Sequence, residues 1–104
     1  LTYHFYKTGE DTTMLYMVLE TFKDGAAPEV YRRARERGRL MPEGLRYVSS
    51  WVDLGFERCF QVMETDDPSL FDLWIAEWAD LVEFEVVAVQ TSAEAAQAMA
   101  AGAA

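Results

Sequence analysis

The chain has 104 residues, 51% of them hydrophobic and 13% aromatic, with a formal net charge of -9 at pH 7. That length suits one domain around one core, and the apolar content excludes a disordered polymer. The negative charge repels phosphate at long range, so neither nucleic acid nor anionic membrane is an expected partner.

Cys59 is the only cysteine. An internal disulfide is therefore excluded, and a reducing, cytoplasmic setting is the expectation. No apolar run approaches the length that spans a bilayer, and no cleavable leader is recognisable. Regular patterning begins at Met14, which places a natural start close to it. Residues 1–13 are read as an N-terminal extension whose Tyr3, Phe5 and Tyr6 would suit a short strand.

"MLYMVLETF" (14–22) is apolar, aromatic and closed by the turn signal Asp24-Gly25, so it reads as a first strand. Pro28 suits the first turn of a helix, and "PEVYRRARERGR" follows with Val30, Tyr31, Ala34 and Gly38 along one side. Gly38, Pro42 and Gly44 end that helix and lead into a second strand at 45–53. A turn around Gly55 returns a third strand at 58–65. Asp66-Asp67-Pro68 starts a second helix whose Leu70, Phe71, Trp74, Ile75 and Trp78 recur at helical spacing. A fourth strand spans 82–90, and Thr91 to Glu94 fits a capping box for a final alanine-rich helix from about residue 91.

The order β-α-β-β-α-β plus a terminal helix is the ferredoxin-like α+β plan, an antiparallel sheet with both main helices on one face. Residues 14–104 then form a single domain. Pairing Asp53 with Glu57 across the hairpin makes opposite positions sum to 110, which sets Trp51 against Cys59, Ser49 against Gln61 and Tyr47 against Met63. On that register the even-numbered face of the hairpin, with Val48, Phe60 and Val62, meets the helices, and Arg46 opposes Glu64.

In the fourth strand Val82, Phe84, Val86 and Ala88 are expected to face the core. In the first strand Leu15, Met17 and Leu19 take that role, leaving Tyr16, Val18, Glu20 and Phe22 outward. The outward set, with Tyr16, Glu20, Phe22, Tyr47, Trp51, Gln61, Met63, Glu85 and Val87, is too apolar for water and too polar for a sealed core. A second copy of the sheet is the expected cover, giving a homodimer through the open face with a semi-polar chamber for a small apolar or aromatic molecule.

"MLYMVLETFKDG", "RARERGRLMPEGLRYVSSWVD", "RCFQVMETDDPSLFDLWIAEWADLVEFEVVAV" and "TSAEAA" resemble a family of short bacterial proteins of unknown function within the dimeric α/β-barrel, ferredoxin-like group. The resemblance spans residues 14 to about 97 and implies the fold and the dimer rather than a reaction. The wider group includes cofactor-independent monooxygenases, lactone isomerases, haem-dependent enzymes and stress-response barrels.

The ligand-binding candidates are Tyr16, Glu20, Tyr47, Trp51, Gln61, Glu85 and Arg39. A desolvated Glu20 or Glu85 would titrate near neutrality and serve as an acid or base, whereas Glu64 and Glu83 read as ion-paired and edge-strand charges. Gln61 and Tyr47 would orient a polar group, and Cys59 reads as an inert buried thiol. Among the arginines of 32–39, Arg39 borders the Gly-Pro loop; the others read as a solvated helix face. His4 is the only histidine and lies in the extension, so neither a metal nor a haem is expected, and no cofactor is assigned. Catalytic turnover without a cofactor competes with a purely structural or regulatory dimerisation domain. A drug-sized cavity lined by Glu20, Tyr47, Trp51 and Gln61 would favour binding, and a filled interface the alternative.

Overall fold

A computed structural model describes residues 13–103. The strand expected around Tyr3, Phe5 and Tyr6, and His4 with it, lies outside the described residues. The elements are β1 (Met14–Phe22), α1 (Ala27–Arg37), β2 (Arg46–Val52), β3 (Arg58–Thr65), α2 (Leu70–Ala76), β4 (Val82–Val89) and α3 (Ser92–Ala103). The strands form one antiparallel sheet in the order β2-β3-β1-β4. This is the ferredoxin-like arrangement expected from the element order.

Local chemistry accounts for the boundaries. Pro28 sits in the first turn of α1, and Gly38 ends the helix at φ 71, where its amide reaches the Ala34 carbonyl at 2.8 Å. α2 starts later than Pro68 because Asp67 folds back on Ser69, its Oδ1 accepting from the Ser69 amide at 3.1 Å and hydroxyl at 2.6 Å. The Thr91–Glu94 capping box forms in full, with the Glu94 amide donating to Thr91 Oγ1 at 3.0 Å and the Thr91 amide to Glu94 Oε1 at 3.1 Å.

Side-chain parity departs from the expectation in β1 and β3. Tyr16, Val18, Glu20 and Phe22 of β1 and Cys59, Gln61, Met63 and Thr65 of β3 are the buried, helix-facing residues. Leu15, Met17, Leu19, Phe60 and Val62 therefore line the open face instead. Both sides of β1 are apolar enough to be buried, so the aromatic helix layer decides. Phe71 meets Tyr16 edge-on at 5.0 Å, and Tyr31 meets Phe22 at 6.4 Å. The expected parity of β4 holds, with Val82 fully buried and Glu83 and Glu85 exposed.

A bulge between Tyr47 and Ser49 alters the hairpin register. Arg46↔Glu64 and Tyr47↔Met63 pair as expected, but beyond the bulge Ser50 opposes Gln61, Trp51 opposes Phe60 and Val52 opposes Cys59. The slip is fixed at the loop. The Asp53 carboxylate accepts from the amides of Glu57 at 2.7 Å and Arg58 at 3.0 Å, so Asp53 faces Arg58 rather than Glu57. Trp51 is consequently on the open face, opposite in sense to Cys59 and Gln61, while Ser50 and Val52 turn under the helices.

The core lies between the sheet and α1–α2, built on Val18, Met63, Phe71, Trp74, Trp78 and Val82; among the described residues none from α3 joins it. No helix among the described residues is long and apolar enough to cross a membrane.

Candidate functional site

Beside this core three polar residues are buried among the described residues, Glu20, Gln61 and Thr65, and Glu20 is the carboxyl among them, with 7% of its surface exposed. Its place follows from register. β1 sets Glu20 directly opposite Cys59 on one side and Phe84 on the other, with Gln61 two residues further along β3 on the same face. Gln61 Nε2 donates to Glu20 Oε2, and the Cys59 thiol hydrogen-bonds the same carboxyl.

The third member arrives from the loop after α1. Gly38 and Leu40 both hold positive φ, 71 and 59, and between them the Arg39 carbonyl accepts the indole N–H of Trp74 at 2.9 Å and of Trp78 at 3.0 Å. Two core tryptophans thus fix the backbone from which the Arg39 side chain leaves. Its guanidinium lies over the Tyr47 ring at 3.7 Å and donates to Gln61 Oε1 at 3.2 Å. Gln61 therefore bridges Arg39 and Glu20, accepting at its oxygen from one and donating from its nitrogen to the other. That relay fixes the amide orientation.

The trio borders a cavity of about 420 Å³ between the sheet and the helices. Glu20, Gln61, Cys59 and Ser50 supply its polar sheet side; Val30, Ala34 and Val52 are apolar lining, and Trp74, Trp78, Phe22 and Tyr31 add aromatic walls. The volume falls within the usual range for small-molecule sites. Burial pushes the Glu20 carboxyl up to about 7, against the nearby Arg39 charge and the Cys59 hydrogen bond, which both pull it down. Burial, with the neighbouring Glu20 charge, pushes the Cys59 thiol up to about 12, so it stays protonated and a poor nucleophile near neutrality. Glu20 is thus a proton donor or acceptor poised near neutral pH.

Residues 14–103 match the family described as Domain of unknown function (DUF3303). The chain belongs to the DUF3303 family. No curated protein matches the sequence of this DUF3303 chain. Among solved structures it is similar to a provisionally named antibiotic biosynthesis monooxygenase from Bacteroides thetaiotaomicron, at 13% identity and TM-score 0.50, covering 77% of this chain and 90% of that one. It is also similar to an uncharacterized NIPSNAP-like domain protein from Burkholderia xenovorans, at 13% identity and TM-score 0.49, covering 78% and 87%. These likenesses concern the fold alone.

Of the seven candidates read from the DUF3303 sequence, Glu20, Gln61 and Arg39 come together at the cavity. Tyr47 contributes indirectly, as the platform under Arg39. Tyr16 is buried against Phe71, with its hydroxyl 3.9 Å from Met14 Sδ, and does not line the cavity. Trp51 and Glu85 are exposed on the opposite face of the sheet, Trp51 because of the bulge and Glu85 because it alternates with the inward Phe84. The cavity that Glu20, Gln61 and Arg39 line thus lies under the helices of one chain, on the side of the sheet away from the open face where the chamber was expected.

Sequence reasoning missed Tyr31, Ser50 and the double role of Trp74 and Trp78. Their helical spacing signals burial but not the indole bonds that hold the Arg39 loop. The remaining charges behave as surface groups. Arg32 pairs with Glu29 and Glu36, Arg33 with Asp80 at 2.7 Å, and Arg46 with Glu64 at 3.1 Å.

Proposed function

We propose that this protein is a cytoplasmic homodimeric α/β-barrel subunit that binds a small apolar or aromatic molecule under its helices and exchanges a proton with it at Glu20, without a cofactor. The observation that carries the reading is a nearly buried carboxyl, poised near neutrality, on the sheet side of a cavity large enough for a ring-sized ligand. A group with that protonation balance is suited to general acid or base work. Likeness in fold transfers no reaction, so the cavity bears the proposal.

The dimer rests on the other face. Leu15, Met17, Leu19, Phe60 and Val62 are only partly covered, and Trp51 is 59% exposed. An apolar sheet surface of this kind is suited to a two-fold mate presenting the same face.

Native mass spectrometry of protein purified from its own host tests both parts. The expected spectrum is a dimer carrying a small-molecule adduct that is lost or weakened in Glu20→Gln. A dimer with no adduct, and no ligand found by screening, would favour a non-catalytic dimerisation domain. A lone chain at micromolar concentration would remove the dimer.

A further inference from the structure

Resting on that reading of the cavity, we infer that its ligand is a small monoanion: an apolar, ring-sized body with one carboxylate or comparably acidic oxygen, seated against the Arg39 guanidinium at the cavity mouth.

The first ground is charge pairing. Arg32, Arg33, Arg37, Arg46 and Arg58 each have a carboxylate within ion-pair distance. Among the described residues Arg39 has none, in a chain whose acids outnumber its bases 18 to 9. Arg35 shares this lack but is exposed on α1 rather than at a cavity. The hydrogen bond made by the Arg39 side chain goes to the neutral amide of Gln61, and Tyr47 covers one face of the guanidinium. Other N–H groups of its fork remain to meet an oxyanion.

The second ground is how firmly the group is held. The two indoles fix its carbonyl, and Tyr47 and Gln61 restrict its head. Preorganisation lowers the entropy lost on binding.

The third ground is the rest of the lining. Val30, Ala34, Val52, Phe22 and Tyr31 offer mainly apolar surface, and among the described residues no second cation lines the cavity. One guanidinium suits one negative charge, whereas a phosphate ester or a dicarboxylate would leave charge without a partner. The titratable or charged groups around Glu20 are Cys59 from β3, Tyr31 from α1 and Arg39 from the loop; β4 presents Phe84, α2 presents Trp74, and the turn after α2 presents Trp78. A bound anion therefore meets Glu20 as the nearby acid, and binding favours its protonated form.

Matched pairs test this: benzoate against benzyl alcohol, and 2-naphthoate against 2-naphthalenemethanol, by calorimetry and ligand-detected NMR on the full chain. At pH 6 the acid of at least one pair is expected to bind tenfold or more tighter than its alcohol. Arg39→Met should abolish the preference, and Arg39→Lys should restore part of it. The Arg39 side chain is exposed, and its backbone carries the indole bonds, so thermal melts of both variants should stay near wild type. Acid binding should weaken from pH 6 to pH 8, and Glu20→Gln should flatten that dependence.

Equal binding of acid and alcohol, or a preference that survives in Arg39→Met, overturns the anion inference and leaves the cavity reading standing. Binding of neither member of either pair overturns both.

Discussion

Replacing Glu20 with Gln should make the protein more stable at alkaline pH. Glu20 has an ordinary value of 4.5 in the open chain and about 7 in the folded one. Between those two values the unfolded chain has released its proton and the folded chain has kept it, so stability falls as pH rises. Below 4.5 the group contributes no such loss, and above 7 the loss is complete.

At about 1.4 kcal/mol per pH unit, the interval amounts to about 3 kcal/mol. Glutamine keeps the shape and still offers an oxygen to Gln61 Nε2, but it has no charge to desolvate. The stability difference between variant and wild type should therefore grow by about 3 kcal/mol in the variant's favour from pH 4.5 to pH 8. Urea unfolding followed by tryptophan fluorescence, at one fixed protein concentration, reads this directly. Other titrating groups cancel in the comparison. A difference that stays constant across that range, or a Glu20 carboxyl resonance titrating near its ordinary value, would refute the reasoning.

Three other outcomes follow from the same geometry. Val62→Glu places a charge in the middle of the open face and, on the proposed dimer, should shift sedimentation toward a single chain while leaving the far-ultraviolet spectrum intact. Cys59 should resist iodoacetamide in the native state at pH 8 and react on unfolding, since its buried thiol sits far above neutrality; rapid native labelling would contradict this. Trp74→Phe removes one indole donor from the Arg39 carbonyl and leaves part of the ring volume unfilled, so stability should drop by about 1–3 kcal/mol. The same variant should blunt ligand binding through loss of Arg39 placement, read by the matched acid and alcohol probes.

Much of this protein was legible in its residues because the signals are local. Pro28 and Gly38 bound α1, the Thr91–Glu94 box opens α3, and alternation in 82–89 assigns the faces of β4. Arg46 against Glu64 anchors the start of the hairpin. Glu20 and Gln61 stood out as polar groups on otherwise apolar strands, and Arg39 as the arginine that borders the Gly-Pro loop, features that one strand or one loop displays by itself.

The direction in which those groups point was decided by tertiary structure. In β1 both faces are apolar, so period-two patterning offers two nearly equal choices. Packing against Phe71, Tyr31 and the two indoles selects the one that puts Glu20 and Gln61 inside. A one-residue bulge in β2, set by the fold of the Asp53 loop, then separates Trp51 from the residues it was expected to join. Composition and short-range spacing select the elements because helix, turn and strand chemistry acts over a few residues. The site needed the assembled layers, because its three polar groups sit on β1, β3 and a loop, and only long-range packing brings those together.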